Sequence, residues 1–102
     1  MFCKENRYIT RGANQEVDLR LQIIIWELID QLKEKRDIVV EYLQVFNICK
    51  RKNKIIIEHG QEVSDYKKVY EVILKEINLL DKIKIFVIDS GEYSTMLLPE
   101  EY

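Results

Sequence analysis

Ser64-Asp65-Tyr66-Lys67-Lys68-Val69-Tyr70-Glu71-Val72-Ile73-Leu74-Lys75-Glu76-Ile77-Asn78-Leu79-Leu80 admits two readings, and the choice between them decides the fold. Tyr66, Val69, Tyr70, Ile73, Leu74, Ile77 and Leu80 recur at three- and four-residue spacing, a helical stripe with Ser64 or Asp65 in place to cap it. Val69-Tyr70-Glu71-Val72-Ile73 is also β-branched and aromatic enough to pair with a sheet edge. The stripe outlasts an ordinary strand, so we read a second helix over about 65–80, with a strand as the alternative.

N-terminal to this segment the period is plainer. Leu21, Ile24, Ile25, Leu28, Ile29 and Leu32 form one broad apolar stripe, Asp18 stands where an N-cap belongs, and Lys33-Glu34-Lys35-Arg36-Asp37 supplies cations for a C-terminal turn. This predicts a helix over about 19–35. Arg7-Tyr8-Ile9-Thr10 reads as an initial strand, followed by a turn at Arg11-Gly12-Ala13-Asn14. Tyr42–Ile48 and Lys54–Glu58 flank the polar Lys50-Arg51-Lys52-Asn53 and predict a hairpin. Ile83–Ile88 and Ser94–Leu98, bracketing Asp89-Ser90-Gly91-Glu92, predict a second. The expected architecture is a single α+β domain over residues 1–102: a mostly antiparallel sheet of two hairpins and an N-terminal strand, packed by one long helix and the second at 65–80.

Composition bounds the function. A chain of 102 residues, 47% hydrophobic, with three glycines and one proline, has the size of one domain and ample apolar surface to fold alone. Its formal charge of -2 is neither the strongly positive field of a typical nucleic-acid binder nor the extreme negative field of a DNA mimic. Charge is polarised, however: residues 1–54 hold eleven basic and eight acidic groups, and residues 55–102 five and ten. Met1-Phe2-Cys3-Lys4-Glu5-Asn6 turns polar at once, so no signal peptide is expected, and runs such as Ile23-Ile24-Ile25-Trp26 are too short to span a bilayer. We expect a cytoplasmic protein whose Cys3 and Cys49 stay reduced.

Motifs for chemistry are sparse. His59 is the lone histidine, in a segment that reads as a strand leaving its sheet. Cys3, Cys49 and His59 lack the paired spacing of a zinc site, and no glycine-rich phosphate loop occurs. Asp89-Ser90-Gly91-Glu92-Tyr93-Ser94-Thr95 is dense in functional groups, yet a turn explains it without an unseen partner. No catalytic residue, cofactor or metal is expected.

Two surfaces are candidates for partners. On the first helix Leu19, Ile23 and Trp26 fall nearly opposite the main stripe, with Asp30, so either Phe2, Tyr8 or the second helix covers them or another subunit does. The hairpin tip places Lys50, Arg51, Lys52 and Lys54 within five positions, a candidate nucleic-acid contact or simply a solvated edge. The preferred function is a noncatalytic interaction protein, a homodimer or an adaptor for a protein partner. The alternative is a nucleic-acid-associated accessory protein using the basic tip, and the third reading is an enzyme around Asp89–Thr95.

Phe86–Tyr102, Tyr8-Ile9-Thr10-Arg11-Gly12, Leu21-Gln22, Trp26-Glu27-Leu28-Ile29-Asp30 and Tyr42-Leu43-Gln44-Val45-Phe46 together give the chain a resemblance. It is similar to a small bacterial family, domain-of-unknown-function family 960, over almost its whole length, most specifically in the run Ile88–Met96. The resemblance implies a compact cytosolic α+β protein and carries no activity or catalytic residues.

Overall fold

Asp18 starts the long helix α2, Leu19–Lys33: its carboxylate accepts from the Arg20 backbone N–H at 2.8 Å and so satisfies one of the donors a helix N-terminus leaves free. The stripe Leu21, Ile25, Leu28, Ile29 and Leu32 is buried along it. The sequence after α2 is rich in β-branched residues and gives strands β2 (Leu43–Arg51), β3 (Lys54–Gln61), β4 (Lys67–Ile73), β5 (Lys82–Asp89) and β6 (Ser94–Leu97). Before α2 lie β1 (Arg7–Ile9) and a short helix α1 (Arg11–Glu16), and Pro99–Glu101 makes a closing 3₁₀ turn. This computed structural model describes residues 1–77 and 81–102.

The six strands form one sheet in the order β1-β6-β5-β2-β3-β4, antiparallel throughout except for the parallel pair β1–β6. The two-residue period sorts side chains cleanly. Phe46 and Ile48 on β2 lie opposite His59 and Ile57 on β3 and opposite Ile85 and Ile83 on β5, and this inner row packs against α2 with Met96 and Phe2. The alternate row, with Val45, Asn47, Cys49, Glu58, Lys84 and Phe86, makes the outer face, on which Tyr102 packs edge-on against Phe86 at 5.8 Å. Each large apolar side chain withdrawn completely from water stabilises the fold by about 1.5–3 kcal/mol, so the fully buried Leu21, Ile25, Ile29 and Leu32 make α2 the chief cover of the sheet.

The expected α+β domain with a mostly antiparallel sheet is found, and α2 and both hairpins lie where the sequence places them. The helix expected over about 65–80 is not, and the strand that is its alternative takes its place. Residues 67–73 are β4, paired along the free edge of β3 with Tyr70 opposite Ile57 and Val72 opposite Ile55. Tyr70 and Val72 are half-buried by this register, and two members of the supposed helical stripe, Val69 and Ile73, are left 58% and 64% exposed. The ladder of β3 outweighs the local period, and Glu76, at φ 54, turns the chain away after the strand. Leu80, the last residue of that stripe, lies outside the described residues.

The turn expected at Arg11–Asn14 is instead α1. Thr10 caps it by accepting from Ala13 N–H at 3.2 Å, and the Glu101 carboxylate accepts from the Thr10 hydroxyl at 2.6 Å and Leu98 N–H at 2.9 Å. A Cβ on Gly12 would stand 2.7 Å from that carboxylate, so glycine serves close approach here rather than a turn. These bonds, led by the Thr10 hydroxyl, hold the Glu101 pKa below the usual carboxylate range.

Candidate functional site

The patch foreseen on α2 is present and partly covered. Leu19 and Ile23 are 67% and 52% exposed, and Trp26 is half-buried. Its cover is neither Tyr8, which stands against Tyr93 at 5.9 Å, nor a second helix. The Phe2 ring goes into the core, and the Arg7 guanidinium lies 4.7 Å from the Trp26 ring centre. Arg7 is itself fixed, paired with Asp30 at 2.5 Å and donating to the carbonyls of Phe2 at 2.7 Å and Cys3 at 3.0 Å. The result is a rigid tryptophan–arginine platform beside two exposed aliphatic side chains.

The pleat of the sheet divides the basic tip. Lys50 points inward and donates to the Ile77 carbonyl at 3.3 Å, and Lys54 pairs with Glu71 at 3.4 Å. Arg51 and Lys52 remain in solvent, Lys52 turning the chain at φ 56. Across the outer face Lys82 and Lys84 lie beside Cys49 and Asn47, and with Arg51 they line a groove of about 390 Å³. The alternation Lys82-Ile83-Lys84-Ile85 was the available signal for these two cations. Among the described residues no carboxylate is within ion-pair distance of Arg51, Lys52, Lys82 or Lys84.

Within Asp89–Thr95, Ser90–Tyr93 connects β5 to β6, Asp89 closing the first strand and Ser94 and Thr95 opening the second. Ser90 N–H donates to the Tyr93 carbonyl at 2.8 Å, Gly91 takes φ 99, and Ser90 and Glu92 are exposed while Asp89 is half-buried. Cys3 is exposed near the N-terminus, Cys49 is on the outer face and His59 on the inner, so these three do not converge. Among the described residues no three His, Cys, Asp or Glu side chains are grouped to hold a metal ion, and no helix is long and apolar enough to cross a membrane.

Sequence reasoning missed a buried polar chain that begins at His59. The imidazole is fully enclosed, stacked on Phe46 at 4.3 Å and met edge-on by Tyr66 at 5.4 Å. Gln44 Nε2 donates to the Glu41 carbonyl at 2.9 Å and to Gln61 Oε1 at 2.6 Å, which leaves Gln44 Oε1 to accept from His59 Nε2 at 2.7 Å. The amide orientations therefore fix the Nε2–H tautomer, and Nδ1 has no protein partner. Burial pushes the His59 pKa down to about 4, and burial with Tyr70 nearby pushes that of Tyr66 up to about 12.

This chain continues outward into two loops. Gln61 Oε1 also accepts from Glu41 N–H at 2.7 Å, and Gln61 Nε2 donates to the Val39 carbonyl at 3.1 Å and the Ser64 hydroxyl at 2.9 Å. The Glu41 carboxylate accepts from the N–H groups of Val63 at 2.9 Å and Ser64 at 2.8 Å, bonds that hold its pKa low against the opposing effect of burial. Ser64, expected to cap a helix, is thus part of a clamp that joins the loop before β2 to the one after β3. Between these loops lies an apolar cleft of about 600 Å³, lined by Ile38, Val39, Tyr42, Val63 and Tyr66.

Comparison with known proteins agrees with this architecture. A crystal structure of a protein of unknown function from Enterococcus faecalis is similar at 26% identity and a TM-score of 0.84, covering 100% of this chain and 98% of that one. No curated protein matches. The family model described as "Staphylococcal protein of unknown function (DUF960)" matches residues 6–101, and with nearly the whole chain inside that match, the protein belongs to the DUF960 family.

Proposed function

We propose that the protein is a cytosolic, noncatalytic interaction protein that pairs with a second copy of itself through the outer face of α2. The carrying observation is the line Leu19, Ile23 and Trp26, away from the buried stripe, with two aliphatic side chains in water beside a tryptophan that packs on the edge of the core and is fixed under Arg7. Tryptophan and arginine dominate the energetics of interface centres, and a platform rigid before binding loses little entropy on contact.

Sedimentation velocity over a concentration series, with circular dichroism on the same samples, tests this reading. The native chain should run as a dimer, and Ile23→Glu and Trp26→Glu should run as folded monomers. A native chain that stays monomeric, or an Ile23→Glu variant that still dimerises, refutes it.

One observation favours a second reading, contact with a polyanion: Arg51, Lys82 and Lys84 share an outer groove without carboxylate partners among the described residues, the groove's own Glu58 being paired with Lys67 at 3.8 Å. Nucleic-acid binding there would weaken steeply with salt as counterions are released. Anisotropy of a labelled single-stranded RNA should then fall in the Lys82→Ala/Lys84→Ala variant, and no binding by the native chain at low salt removes this reading.

A further inference from the structure

The cleft between residues 37–42 and 61–66 belongs neither to α2 nor to the basic tip. Its two valines, Val39 and Val63, are 83% and 84% exposed, yet the backbones that present them are tied down by Glu41 and Gln61. Exposed aliphatic side chains are ordinary on a surface when scattered. Here a buried chain of amides reaches out from His59 and holds two of them, with Tyr42, around one cavity. A surface fixed in this way avoids the ordering cost that a mobile loop incurs on binding.

We propose that this cleft is a docking site for an extended segment of a protein partner, one that carries a large apolar side chain flanked by lysine or arginine. The apolar anchor follows from the lining, and about 600 Å³ accommodates a side chain or two rather than a flat protein surface. The cationic flank follows from charge: Asp37 and Glu41 are the charged residues that line the cleft. Lys35 faces the same site from the end of α2, its ammonium 6.0 Å from the Tyr66 ring. A segment fits better than a small polar molecule because Glu41, Gln61 and Ser64 already spend their hydrogen bonds on the clamp, leaving carboxylates at the rim rather than free polar groups inside. The site is independent of the self-association proposed above.

The test is to pan a random-peptide phage library on the intact protein and measure the enriched peptides by fluorescence anisotropy. They should carry an aliphatic or aromatic residue beside Lys or Arg, and their affinity should fall with salt and in Asp37→Asn. Val39→Ser/Val63→Ser should weaken them about tenfold or more, and Ile23→Glu should not. Because the valine variant could perturb the loops, amide shift mapping on the native chain gives a second readout, with changes expected at Val39, Val63 and Ser64. The proposal is overturned if nothing is enriched over the bare support, if enriched peptides are acidic, if the valine pair makes no difference, or if the shifts map to α2. A cleft that takes up a small apolar dye but selects no peptide also overturns it, in favour of a small-molecule site.

Discussion

Acid should destabilise this protein chiefly through one buried side chain, His59. An imidazole in the unfolded chain titrates near its ordinary 6.5, whereas in the fold burial pushes it to about 4. Between these values the unfolded state binds a proton that the folded state refuses, so stability falls as pH falls. The stabilisation is fully present above about pH 6.5 and is lost progressively toward pH 4. The separation corresponds to about 3 kcal/mol in all, of which about 1.4 kcal/mol is lost by pH 5.5. Carboxylates held below their usual range, such as those of Glu41 and Glu101, lose stability in the lower part of the same window, so the native curve alone would not isolate the histidine. The assay is therefore urea unfolding from pH 7.5 to 4 for the native chain and for His59→Phe, which keeps a ring against Phe46 and cannot titrate. The variant should be less stable at pH 7.5, since Gln44 Oε1 loses its donor, and the gap should close by about 3 kcal/mol on acidification. Parallel curves, or a ring titration by nuclear magnetic resonance centred near pH 6.5, would refute the buried neutral imidazole.

Further outcomes follow from the same structure. Ile25→Ala, which empties a fully enclosed position between α2 and the sheet, should cost about 2–5 kcal/mol in urea unfolding. Gly12→Ala should destabilise by displacing Glu101 from the start of α1, and in Glu101→Ala that same change should cost less; equal costs in both backgrounds would show that the Glu101 side chain is not the reason for glycine. Glu41→Ala should raise hydrogen exchange at the Val63 and Ser64 amides while leaving β2 and β3 protected. Arg7→Leu should shift Trp26 fluorescence without unfolding the chain, and an unchanged spectrum would mean the guanidinium does not sit on the ring in solution.

The elements legible in the sequence are those fixed by local contacts. Asp18 and the stripe Leu21–Leu32 specify α2 by capping and period alone, and the hairpins follow from β-branched runs around Lys52-Asn53 and Ser90–Tyr93. β4 is legible only as the second of two readings, because Val69 and Ile73 complete a helical stripe on paper, and the edge of β3 that claims Tyr70 and Val72 exists only once the sheet is built. α1 was hidden for a related reason. Gly12 reads as a turn until Glu101, at the far end of the chain, comes to rest beside it.

Surface chemistry follows the same division. The basic run Lys50–Lys54 is conspicuous in sequence and dispersed in space, because alternation along β2 and the ion pair to Glu71 leave only Arg51 and Lys52 free on the tip. The cleft is the reverse case, being built from two loops that each look unremarkable. Its trace in the sequence is an inconsistency: Val39 and Val63 are large aliphatic residues among carboxylates, in segments with no helical or strand period to bury them. An apolar side chain that no regular element absorbs must be covered from elsewhere or held in water. Gln44, His59 and Gln61 show which applies here, since their hydrogen bonds, besides joining the three to one another, run outward to Val39, Glu41 and Ser64. Such a chain, costly to enclose within the core, makes physical sense as the support of the surface it reaches.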